Sequence, residues 1–80
     1  MKIQLIEGEF NANEALDLIT QMINVKIKYH ENKIHDSNVE EDVKARESKI
    51  KRLQNELFEL RNQFSIEGKK LSINTTINII

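Results

Sequence analysis

Apolar residues recur with two different periods along these 80 residues, and each change of period marks a segment boundary. Over residues 2–10 the period is near two. Ile3 and Leu5 fall on one side, Ile6 and Phe10 on the other, and Gly8 weakens the end. The pattern predicts a strand, although neither of its faces is clean. Over residues 70–79 the alternation is strict: Leu71, Ile73, Thr75, Ile77 and Ile79 alternate with Ser72, Asn74, Thr76 and Asn78. This predicts a strand with one buried face.

Between the strands the period lengthens to that of a helix. Asn11 followed by Glu14 reads as an N-cap with a capping box, and no proline or glycine interrupts a helix over residues 12–35. Ser37 followed by Glu40 repeats the signal, with Glu41 and Asp42 suited to the positive end of a helix macrodipole. A second helix is expected over residues 38–66, with Gly68 as its C-cap.

The two helices differ in how much apolar surface they carry. The second has one stripe, Val39, Val43, Arg46, Ile50, Leu53, Leu57, Leu60 and Phe64, spaced by fours and threes. This is a heptad seam broken only by Arg46. A lone charge on such a seam fixes register at some cost in stability, so Arg46→Leu should melt higher. The first helix is apolar on two sides. Leu16, Ile19, Ile23, Ile27 and Ile34 make one stripe, and Leu18, Met22, Val25 and Tyr29 make another. An antiparallel hairpin, setting Ile19 near Leu53 and Ile34 near Val39, lets the second helix cover only one of these sides.

The expected fold is therefore α+β and mainly helical: one β-α-α-β domain over residues 1–80. A long antiparallel, coiled-coil-like helical hairpin carries short terminal strands, and the whole is dimerised. The expected interface residues are Leu18, Met22, Val25 and Tyr29 on the first helix and Ile73, Ile77 and Ile79 on the last strand. The strands could fold back over the first helix, but a two-stranded sheet is marginal by itself.

Composition points the same way. A chain this short buries only about 60% of the surface its unfolded form exposes. Domains of this size commonly rely on disulfides, a metal or a partner subunit. There is no cysteine, and two histidines are too few for a structural metal site. His30 and His35 lie on different faces, and His30 is read as a seam-edge residue reaching water or a carbonyl. A homo-oligomer, with a dimer as the simplest number, is the remaining way to stabilise the domain.

Charge and motif content narrow the function classes. The net charge is −1, and Lys44, Lys49, Lys51 and Arg52 are interspersed with Glu47, Glu56 and Glu59. That arrangement suits a solvated face better than a phosphate-tracking one. No serine stands in a recognisable triad pattern, and Gly68-Lys69-Lys70 lacks the spacing of a phosphate loop. The reading is of a non-catalytic protein with no cofactor and no metal, working through self-association or a protein partner. The lesser alternative is a small nucleic-acid-associated regulator using the basic residues of helix 2 in a dimer. No export signal or membrane-length apolar run is present, so the cytoplasm is the expected location.

Overall fold

The computed structural model describes residues 1–64 and 69–80 and has the order β1 (Lys2–Asn11), α1 (Ala12–Asp36), α2 (Glu40–Phe64) and β2 (Lys70–Asn78). The expected C-terminal end of the second helix and the Gly68 cap lie outside the described residues. None of the described helices is long and apolar enough to cross a membrane.

β1 and β2 pair with each other, antiparallel, within the one chain. The ladder runs from Lys2 opposite Asn78 to Asn11 opposite Lys70 and slips by one residue between Gln4 and Ile6. Leu5 is the extra residue, a β-bulge, and it explains the untidy alternation of β1. A bulge reverses the phase of a strand. Ile3, opposite Ile77, therefore shares a face with Ile6, Gly8 and Phe10, which lie opposite Thr75, Ile73 and Leu71. The other face is polar: Gln4, Glu7 and Glu9 stand against Thr76, Asn74 and Ser72. There the Gln4 side-chain amide donates to Asn74 Oδ1, and Thr76 Oγ1 donates to Gln4 Oε1 at 3.1 Å.

The start of α1 follows its sequence signal. Asn11 is extended (φ −68°, ψ 161°), and its Oδ1 accepts from the Glu14 backbone N–H at 2.9 Å. The return bond comes from the Asn11 side-chain amide, which donates to Glu14 Oε1. The start of α2 departs from expectation. Ser37 is spent on closing α1: its N–H donates to the Ile34 carbonyl at 3.1 Å. Its hydroxyl accepts from the Val39 N–H rather than from Glu40. The Val39 carbonyl takes the Val43 N–H, so α2 begins at Glu40 and Val39 stands exposed in the turn.

That later start shifts the hairpin register. Arg61 reaches Thr20 Oγ1 at 3.3 Å, and Arg46 reaches His30 at 3.1 Å. Ile19 therefore lies further along α2 than the expected Leu53. The seam positions Val43, Arg46, Ile50, Leu53, Leu57, Leu60 and Phe64 are each half-buried, while their α2 neighbours are mostly exposed.

The molecule is flat. Its extents are 47 × 34 × 13 Å, and its radius of gyration is 15.2 Å, against about 12 Å for a compact chain of this length. α1 touches both strands and α2, whereas α2 touches neither strand. The sheet touches α1 far less than α2 does, and the buried apolar residues Ala12, Ala15 and Ile73 mark the junction at the helix start. The two elements open from that junction as a wedge.

Candidate interaction surface

The wedge carries the surface that the sequence singles out. At its apex Ala12 and Ala15 on α1 and Ile73 on β2, 9% exposed, are the buried apolar residues among those described. Burial then declines along both arms. On α1, Leu18 and Met22 are half-buried, Val25 is 70% exposed and Tyr29 is 53% exposed. On the sheet, Leu71, Thr75, Ile6 and Phe10 are half-buried, while Ile77 is 40% exposed, and Ile3 and Ile79 are exposed too. The seven expected interface residues thus fall in two groups on one wedge: Leu18, Met22 and Ile73 near its apex, and Val25, Tyr29, Ile77 and Ile79 towards its mouth. Phe58, an apolar residue of α2 that lies off the seam, is exposed.

A polar cluster crosses the hairpin where the seam is broken. His30 is 6% exposed, and its Nδ1 lies 3.1 Å from Arg46 Nη1. A guanidinium has no acceptor, so Arg46 donates, Nδ1 accepts, and the imidazole is neutral with its proton on Nε2. That Nε2–H is buried without a partner among the described residues. Burial pushes the His30 pKa below its usual value, and the positive charges of Arg46, Lys49 and Lys26 push it further. Arg46 is also held by Asp42 Oδ2 at 3.3 Å and lies over the Tyr29 ring, 5.9 Å from its centroid. Tyr29 in turn meets His30 edge-on, with centroids 5.6 Å apart. His30 Nδ1 therefore meets a side chain of the other helix, where its position alone suggests water or a carbonyl. Its partner is Arg46, which helical periodicity taken one helix at a time does not reveal.

The basic residues of α2 gather little. Lys44 pairs with Glu40 at 3.3 Å, and a shallow groove on the outer face of α2 mixes Lys44 and Lys51 with Glu47 and Ser48. Among the described residues no three histidine, aspartate or glutamate side chains gather closely enough to hold a metal ion.

Comparison with family models, curated proteins and solved structures gives no match to this chain.

Proposed function

We propose that this protein is a small, non-catalytic, self-associating module whose working form is a homo-oligomer, with a dimer as the simplest number, acting as an interaction or scaffold protein. The observation that carries this reading is the open wedge. A chain 13 Å thick buries only Ala12, Ala15 and Ile73 as apolar core among its described residues, and leaves Val25, Tyr29, Ile77 and Ile79 uncovered. So small a core supplies little of the apolar burial that stabilises a folded domain. A partner subunit is the remaining source of cover, because the chain has no disulfide to supply it.

The apolar residues left exposed on α1 and on the sheet support association, since soluble monomers rarely leave large apolar patches open. The reading as a nucleic-acid regulator gains no specific observation: the outer face of α2 alternates in sign, and Lys44 is engaged by Glu40. The test is sedimentation equilibrium at micromolar concentration, with a dimer expected. A monomer that remains fully folded there overturns the proposal.

A further inference from the structure

The two outer edges of the β1–β2 ribbon are not equivalent. β1 carries the marks by which natural sheets discourage edge-to-edge pairing. Its line is broken by the Leu5 bulge, Gly8 sits at φ +148°, and Lys2, Glu7 and Glu9 place charges along it. β2 has neither bulge nor glycine, and its one charge is Lys70 at its first position. From Leu71 to Ile80 the chain holds no charge, no proline and no glycine, and its ladder is unbroken. Long, flat, uncharged edges of β-branched residues pair readily with another strand.

The hydrogen-bond phase shows which groups are on offer. The Lys69 carbonyl accepts from Ala12, and Ile79 exchanges both of its main-chain bonds with Met1. With a period of two, Leu71, Ile73, Thr75 and Ile77 also aim their main-chain groups at β1. Ser72, Asn74, Thr76 and Asn78 then aim theirs outward, where no described element lies.

We infer that this edge joins the β2 strand of a second copy, antiparallel about a two-fold axis at Thr75, to make a continuous four-stranded sheet. The inference rests on the self-association proposed above and names the surface that performs it. The second copy is the occupant because the edge is complementary to itself. About Thr75 the sequence reads the same in both directions in chemical terms: Asn74 mirrors Thr76, Ile73 mirrors Ile77, Ser72 mirrors Asn78, and Leu71 mirrors Ile79. An isologous pair therefore sets aliphatic residues against aliphatic ones, polar against polar, and Thr75 against itself. The one charge on the edge, Lys70, falls opposite Ile80 of the second copy, so two identical strands meet without pairing like charges. The same operation lays the exposed Ile77 and Ile79 beside Ile73 and Leu71 of the second copy, which are the covered end of its sheet. Four strands also relieve the marginal stability of a two-stranded ribbon.

Because Thr75 would sit on the axis in a non-hydrogen-bonded pair, its two α-carbons would lie about 4.5 Å apart, within disulfide reach. The chain has no native cysteine, so a single introduced thiol reports on this contact alone. Thr75→Cys is expected to give a disulfide-linked dimer as the main product of mild oxidation, whereas exposed Glu47→Cys on α2 stays largely uncrosslinked. Asn74→Pro deletes an outward N–H, keeps the main-chain bonds to β1 while losing the Gln4 side-chain bond to Asn74 Oδ1, and should weaken association at least tenfold. Glu9→Pro, the matching deletion on the outer edge of β1, should leave association unchanged. A wild-type dimer that gives no Thr75→Cys crosslink, or that survives Asn74→Pro but not Glu9→Pro, overturns the β2 edge while leaving self-association intact. A wild-type monomer overturns both.

Discussion

Arg46 Nη1 donates to His30 Nδ1 across the helical hairpin at 3.1 Å, at the single place where the heptad seam of α2 is interrupted. The irregularity on one helix is thus matched by a polar residue on the other, and Asp42 holds the guanidinium from its far side at 3.3 Å. A charged seam residue with a partner behaves differently from one without. Removing only one member of such a pair strands the other, whereas removing both can restore an apolar layer.

Arg46→Leu is accordingly expected to melt lower than wild type, reversing the expectation from the seam alone, because it leaves both nitrogens of buried His30 unpartnered. His30→Leu/Arg46→Leu should melt higher than Arg46→Leu, by on the order of 5 °C for a chain of this size. Thermal melts of the two single variants and the double variant, read as a double-mutant cycle, check the coupling. Additive shifts would show that the two residues do not act together.

The same pair makes stability depend on pH. Burial first, and then Arg46, Lys49 and Lys26, hold the folded-state pKa of His30 below its usual 6.5. The unfolded chain thus takes up a proton at higher pH than the folded one does. Stability contributed by neutral His30 is complete above pH 6.5 and falls as pH drops from there through the lowered folded value. Urea unfolding between roughly pH 5 and pH 8, above the carboxylate range, should show this decline in wild type. A His30→Gln variant should show less of it; an identical slope in both would exclude His30 as the source.

Gly8 adopts φ +148°, a region that residues with a Cβ rarely enter. Space is not the obstacle, since an added Cβ would meet only the Phe10 ring at 3.9 Å. Gly8→Ala should therefore cost about 1 kcal/mol or more through backbone strain alone. D-alanine at the same position, introduced by chemical synthesis, favours positive φ and should cost less than L-alanine. Equal melting temperatures for the two would refute the backbone explanation.

Deleting Leu5 removes the bulged residue and restores strict alternation, with Ile3, Ile6, Gly8 and Phe10 still on one face. The shortened chain should keep its far-UV circular dichroism. It should also aggregate faster, having lost a device that keeps its β1 edge from pairing. Loss of the β signal would mean that the bulge is required for folding.

Asn11→Ala removes the acceptor for the Glu14 N–H and the donor to its carboxylate. A loss of about 1 kcal/mol is expected from chemical denaturation, as for other N-caps. No measurable change would show that the pairing of Ala12 with Lys69 already secures this corner.

Local chemistry made much of this molecule legible. The capping pair Asn11 and Glu14, the strict alternation from Leu71 to Ile79 and the stripe from Val43 to Phe64 each depend on neighbours within a few residues, so each is visible in one segment read alone. The double apolar face of α1, with Val25 and Tyr29 on its second side, is legible for the same reason. What lay beyond this reach was decided between segments. The Leu5 bulge is defined only by the partner strand, which supplies one residue where β1 supplies two. Ser37 carries the signal for starting a helix, but the end of α1 claims it first, and the hairpin register moves as a result. His30 and Arg46 meet because two helices cross there, and neither residue's own periodicity reports the other. The open wedge is also a tertiary outcome. Sequence pattern sets which faces are apolar, but only the angle at which the sheet leaves α1 decides which of those faces the chain covers itself and which it leaves exposed.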